Sequence, residues 1–73
     1  MMAVGWSSIA VYWAEYWCAA RGAWCELLAP DRRPIAGESL QAVVRAAHAA
    51  AAGQPYRIIE QSAGFESVVF QLR

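Results

Sequence analysis

Lysine is absent from this 73-residue chain, whose six basic side chains are all arginine, and its formal net charge is zero. A general nucleic-acid-binding protein carries a basic patch. A DNA mimic carries an acidic surface, so neutrality argues against both classes. An all-arginine composition fits an interface, where rigid guanidinium groups are favoured, and it fits a GC-rich genome equally well.

Signatures of catalysis and of cofactor binding are also missing. The five glycines form no phosphate-binding GxGxxG or GxxxxGK pattern. The single histidine, His48, and the single aspartate, Asp31, are far apart in sequence, whereas a nucleophile needs a nearby base and an orienting carboxylate. Cys18 and Cys25 lack the CxxC spacing and the second ligand pair of a metal site. We therefore predict a non-enzymatic protein with no catalytic residues, no metal, no cofactor and no small-molecule substrate.

Long uninterrupted hydrophobic runs are lacking as well. Residues 1–20 include Ser7, Ser8 and Glu15, so they are too polar for a membrane-spanning helix of ~20 apolar residues. The first positive side chain is Arg21, whereas a secretory signal begins with positive charge. We expect no membrane association and a cytoplasmic location, where thiols stay reduced.

Apolar residues are abundant, since 59% of the chain is hydrophobic and four residues are tryptophan. A domain of this size buries only roughly 60% of its unfolded surface, so spare apolar surface is hard to hide. Small domains with more apolar area than they can bury tend to dimerise or to bind a partner. Composition thus predicts a single domain, residues 1–73, with a contact-making surface.

The aromatic segment near the N-terminus predicts a β-hairpin. Residues 8–19 alternate with period two and are rich in β-branched and aromatic residues, which is typical of a strand. Arg21-Gly22 supplies a turn, and residues 23–29 form the returning strand.

The length of that turn decides the environment of the two cysteines. A two-residue turn places Cys18 opposite Cys25, within disulfide distance. A three-residue loop places Cys18 opposite Trp24 and points the two thiols to opposite sides. Two free thiols acting as small hydrophobic residues are the favoured alternative.

The second half of the chain predicts a loop, a helix and another hairpin. Residues 30–38 hold two prolines and a glycine, which is loop chemistry. Residues 39–52 form a helix with Ser39 as its N-cap and an apolar stripe at helical spacing. Residues 56–62 and 65–72 are two strands joined by a two-residue turn.

The predicted fold is therefore α+β with the order ββαββ. One four-stranded, largely antiparallel sheet carries the helix on one face, and a single helix leaves the other face open. In the first hairpin we expect the helix to cover the side with the small residues Ala10 and Ala14, because burying Glu15 among the tryptophans is costly.

For the second hairpin, the relative polarity of its two sides favours one set of residues facing the helix. That set is Ile59, Val68, Phe70 and Leu72.

Tryptophan and arginine are the usual anchors of protein interfaces. The predicted partner-binding residues are Trp13, Trp17, Trp24, Glu15, Arg32 and Arg33. Two alternatives use the same open face. The first is a structural homodimer, and the second is a module for single-stranded nucleic acid, which is disfavoured because no basic groove accompanies the aromatics.

The arrangement of "SLQAVVRAAHAAAA" between strands, followed by "RIIEQSAGFESVVFQL", resembles the small anti-CRISPR proteins of phages and mobile elements. Several of these are compact single domains with one short helix against an antiparallel sheet. The resemblance is one of layout, spans residues 8–72 and contains no specific motif. It implies a stoichiometric inhibitor that blocks a larger complex by surface contact.

Overall fold

The computed structural model describes residues 9–72, which form one antiparallel sheet and one helix. The elements are β1 (Ala10–Cys18), β2 (Ala23–Glu26), β3 (Ala36–Gly37), α1 (Leu40–Ala51), β4 (Tyr56–Ser62) and β5 (Phe65–Leu72). The strand order is β2-β1-β4-β5, and β3 also pairs with β1. The predicted α+β class and the ββαββ layout are confirmed, with one short strand added.

The first hairpin has a four-residue loop, so both predicted turn lengths are wrong. The carbonyl of Cys18 accepts hydrogen bonds from the N–H groups of Arg21 and Gly22, at 3.1 and 2.8 Å. Gly22 closes this turn with a φ of 63°, a conformation that favours glycine. Cys18 therefore pairs with Ala23 and Tyr16 with Cys25. The two cysteines are free thiols that lie on the same face as diagonal neighbours.

The segment between the first hairpin and the helix is more ordered than the predicted loop. The predicted strand 23–29 ends at Glu26, and the chain then returns to the same edge of β1 as β3. Leu27 and Ile35 are the first and last residues of the segment between β2 and β3, and each is only 6% exposed. The N–H of Ala14 donates to the carbonyl of Ile35 at 3.1 Å. These two buried side chains anchor the segment, and β1 is therefore bordered by two short strands, β2 and β3, instead of one longer strand.

Helix α1 begins and ends one residue inside the predicted range 39–52. Ser39 caps it as predicted, since its hydroxyl accepts from the N–H of Ala42 at 3.2 Å. Its inner stripe of Val43, Ala47 and Ala51 is buried against the sheet. The start of the predicted first strand, Ser8, lies outside the described residues.

The helix covers the expected side of the first hairpin. Ala14 is fully buried beneath it, and Tyr12 and Tyr16 pack against the same core. Small residues on both elements allow the helix to approach the sheet closely. The face with Trp13 and Trp17 is left without a covering helix, as the sequence predicts.

For the second hairpin, the prediction is wrong for Ile59 and Val68. Ile58 pairs with Ala14 and belongs to the core under the helix, so Ile59 points to the opposite face together with Val68. Polarity within the hairpin was the wrong guide, because the pairing of β4 with β1 sets which side is buried.

A β-bulge explains why Phe70 and Leu72 nevertheless lie on the helix side. The register shifts between Ile58 and Ile59, so that Val69 is an extra residue in β5 and Phe70 comes opposite Ile58. The ring of Phe70 lies 5.9 Å from that of Tyr56, measured between centroids.

Candidate protein-binding surface

The face of the sheet opposite α1, here called the open face, carries a cross-strand pair of tryptophans. Trp17 of β1 lies opposite Trp24 of β2, with ring centroids 5.5 Å apart and an interplanar angle of 69°. This edge-to-face geometry is favourable for aromatic rings and holds each indole in place. Trp17 is still 39% exposed. Trp24 is half-buried, so Trp17 is the accessible member of an ordered pair.

Arg57 of β4 contacts both Trp24 of β2 and the carboxylate of Glu15 on β1. Its guanidinium carbon lies 4.4 Å from the centre of the Trp24 ring, which is a cation–π contact. Its Nε donates to Oε1 of Glu15 at 2.8 Å, and both side chains are only about a quarter exposed, at 25% and 23%. Because two contacts already fix the guanidinium, less side-chain entropy is lost when a partner binds.

The same ion pair resolves an unfavourable contact within the sheet. Glu15 lies directly opposite Glu26, and like charges in a cross-strand pair are destabilising. On the other side of β1, Arg57 is the direct partner of Glu15. The carboxylate of Glu15 is therefore neutralised by Arg57 within the sheet.

A cavity of about 350 Å³ opens beside the tryptophan pair. It is lined by Trp17, Trp24, Pro55 and Gln71. The N–H of Trp17 donates to the carbonyl of Pro55 at 3.1 Å, which fixes one wall. This volume is at the small end for ligand pockets and suits a bulky side chain or a short peptide segment.

Comparison with known proteins finds no matching family model, no matching curated protein and no matching solved structure. Function is therefore inferred from the chemistry of the surface alone. No helix within residues 9–72 is long and apolar enough to cross a membrane.

Trp13 lies on the open face but has a different role from Trp17. Its cross-strand neighbour is Ile59, which in turn lies beside Val68. Ile59 is only 6% exposed although α1 packs on the other side of the sheet. A half-buried indole beside it explains that burial. Trp13 is therefore largely a packing residue, and Trp17 is the more accessible anchor.

Arg32 and Arg33 lie in the exposed loop that precedes β3 and are not part of the tryptophan cluster. The N–H of Arg33 donates to Oδ1 of Asp31 at 3.1 Å, and its Nε lies 3.8 Å from Oδ2 of the same carboxylate. The Arg33 side chain is 85% exposed, so this contact contributes little to stability. Arg33 lines a second, separate cavity with Pro34 and Ser39, next to the start of α1.

The structure thus brings together Trp13, Trp17, Trp24 and Glu15 of the predicted set. Sequence reasoning missed Arg57, Pro55 and Gln71. Arg57 alternates with the core residues Tyr56 and Ile58, which places it on the other side of β4, but its nearness to Glu15 depends on the β1–β4 pairing. No local pattern in the sequence reveals that pairing.

His48 is exposed on α1 but forms a hydrogen bond with a buried core tyrosine. Its Nδ1 lies 3.1 Å from the hydroxyl of Tyr56, whose residue is 1% exposed. Burial raises the pKa of Tyr56, so the phenol stays neutral. The contact satisfies a polar group at the edge of the core. Within residues 9–72, no group of three or more His, Cys, Asp or Glu side chains could hold a metal ion.

The thiol of Cys18 is expected to ionise more readily in the folded protein than in the unfolded chain. The backbone N–H of Arg21 at the hairpin turn favours the thiolate and lowers the pKa of Cys18. In a Cys25→Ser variant, which leaves Cys18 as the only thiol, the rate of alkylation by iodoacetamide should rise at a lower pH when folded than in urea. Equal midpoints in the two states would contradict this effect of the turn.

Proposed function

We propose that this protein is a small, non-enzymatic protein–protein interaction module that binds its partner through the open face. One observation carries the proposal: Trp17, held by its edge-to-face contact with the half-buried Trp24, stays accessible on the side of the sheet opposite the only described helix. Tryptophan and arginine dominate binding hot spots, and here the guanidinium of Arg57 lies over the ring of Trp24.

The charges on the open face favour a protein over a nucleic acid. Glu15, Glu26 and Glu66 share this face by register, while Arg57 is the one basic residue placed there among residues 9–72. Because Arg57 is paired with Glu15, two carboxylates remain unbalanced. A phosphate backbone would be repelled, whereas an apolar patch with basic residues at its rim would fit.

The cavity beside the tryptophans supports binding without catalysis. None of the side chains that line it, two indoles, one proline and one amide, can act as an acid or a base near neutral pH. The narrower prediction, a stoichiometric inhibitor of a larger complex, rests on the layout resemblance alone. The test is therefore designed for the interaction rather than for a named target.

The proposal predicts that Trp17→Ala abolishes capture of a specific partner. The tagged wild-type protein and two variants would be used in parallel with extract from the cells that produce it. Arg45→Ala is the matched control, because arginine is also a common interface anchor but Arg45 is exposed on α1, on the other side of the sheet. The partner should be retained by Arg45→Ala and lost with Trp17→Ala, at equal amounts of folded protein. A partner that Trp17→Ala still retains would contradict the proposal.

A further inference from the structure

Strand β5 forms an edge of the sheet and is exposed along its whole length. It spans eight residues, pairs only with β4 in the described sheet, and every one of its residues is exposed. Five of them are large and apolar, namely Phe65, Val68, Val69, Phe70 and Leu72, with exposed fractions from 37% to 78%. Together they expose apolar surface on the order of 400 Å², divided between the two sides of the sheet.

These apolar side chains project from both sides of the sheet. Val68 lies on the open face beside Ile59. Phe70 and Leu72 lie on the helix side, opposite Ile58 and Tyr56. Helix α1 packs mainly on β1, β3 and β4, so it leaves this side of β5 uncovered. Any segment that covers the edge must therefore offer apolar side chains on both sides of the sheet.

The backbone of β5 is equally open to pairing. Ala63 and Gly64 form a two-residue turn with φ of 53° and 84°, so Ser62 and Phe65 are the first hydrogen-bonded pair of the hairpin. By alternation, the N–H and C=O groups of Glu66 and Val68 point away from β4. Natural edges are commonly protected by lysine or proline. Residues 65–72 contain neither, and Glu66 is their only charge.

We infer that β5 is the interface of a homodimer, in which it pairs antiparallel with β5 of a second copy. A second copy supplies what the edge requires, an eight-residue strand with apolar side chains on both sides. One carboxylate on each strand and a net charge of zero give little repulsion between copies. The antiparallel arrangement is an isologous two-fold contact, the commonest in homo-oligomers.

The buried area is compatible with a modest dimer. Two strands can bury at most on the order of 800 Å² of apolar side chain, to which the paired backbone adds, against a lower limit of ~1,200 Å² for stable interfaces. A two-fold axis perpendicular to the sheet places both helices on one side and both open faces on the other. The dimer would then present two Trp17–Trp24 pairs in one continuous sheet. This inference does not depend on the proposed function, because the dimer forms through the β5 edge and the partner is bound at the Trp17–Trp24 pair.

The test is sedimentation velocity across concentrations up to about 1 mM, where weak interfaces assemble. The wild-type protein should shift from 8.0 kDa towards twice that mass as its concentration rises. Val68→Lys puts a charge at the centre of the edge and should weaken dimerisation at least tenfold. Val11→Lys is the matched control, because Val11 is 38% exposed on β1, away from β5, and it should leave dimerisation unchanged.

Two further measurements test the dimer even if the Val68→Lys variant fails to fold. Phe65→Ser removes the most exposed apolar side chain of β5 and should also weaken the dimer. In the wild type, the amide of Val68 should exchange with solvent more slowly as the protein concentration rises. A wild-type protein that stays monomeric up to 1 mM would overturn the inference. A dimer that Trp17→Ala dissociates and Val68→Lys does not would also overturn it, because that interface would be the open face.

Discussion

Replacing Ile58 with alanine is expected to lower the free energy of unfolding by about 3 kcal/mol. Ile58 of β4 is fully buried in the core beneath α1, and within residues 9–72 it is one of the two largest side chains that are less than 2% exposed. Much of the surrounding core is alanine, including Ala14, Ala47 and Ala51. Such a core has few flexible side chains that could move into the cavity. For a domain of this size, the loss would lower the melting temperature by roughly 12–24 °C.

The measurement is urea denaturation followed by circular dichroism, with Val11→Ala as the control. Val11 lies on β1 but is 38% exposed, so its truncation should change the stability by less than about 1 kcal/mol. A loss at Ile58 no larger than the loss at Val11 would mean that β4 presents its other side to the helix. That outcome would restore the side predicted from the polarity of the hairpin alone.

Trp13→Ala is expected to destabilise the protein by about 2–3 kcal/mol, whereas Trp17→Ala should remove only about 1 kcal/mol. The half-buried indole of Trp13 lies beside Ile59 on the open face, so its loss would expose an isoleucine that is now 6% exposed. Trp17 loses its edge-to-face contact with Trp24 but covers less of the core. From the sequence the two tryptophans were expected to be equivalent interface anchors, whereas in the structure Trp13 is half-buried and Trp17 is exposed.

Urea midpoints for the two variants, measured under the same conditions, test that separation. The Trp17 variant should remain folded at room temperature, which makes it suitable for binding experiments. Equal destabilisation by the two substitutions would indicate that both indoles are packing residues. In that case Trp17 would not be an accessible anchor for a partner on the open face.

Short-range patterns in the sequence predict much of this fold. Ser39 marks the helix start because its hydroxyl can satisfy a free N–H, and Ala63-Gly64 marks a two-residue turn because glycine accepts positive φ. The expectation that the helix covers the side of Ala14 was also confirmed. It followed from side-chain size and from the position of one carboxylate.

Features that depend on pairing between distant strands could not be predicted. The partnership of Glu15 and Arg57 joins residues 42 positions apart, and it needs the register of β1 with β4. The bulge at Val69 has no glycine to signal it, yet it decides which side Phe70 occupies. The loop after Cys18 was misjudged because two, three or four residues around one glycine are all compatible with a hairpin.

The central claim is that the open face contacts another protein, and cross-linking from that face tests it most directly. A photoreactive phenylalanine analogue would replace Trp17 in one variant and Ala49 in another, Ala49 being exposed on α1. Irradiation in the producing cells should give one discrete adduct with a different protein from position 17 and none from position 49. An adduct from position 49 alone, or from position 17 only with a second copy of this chain, would contradict the claim.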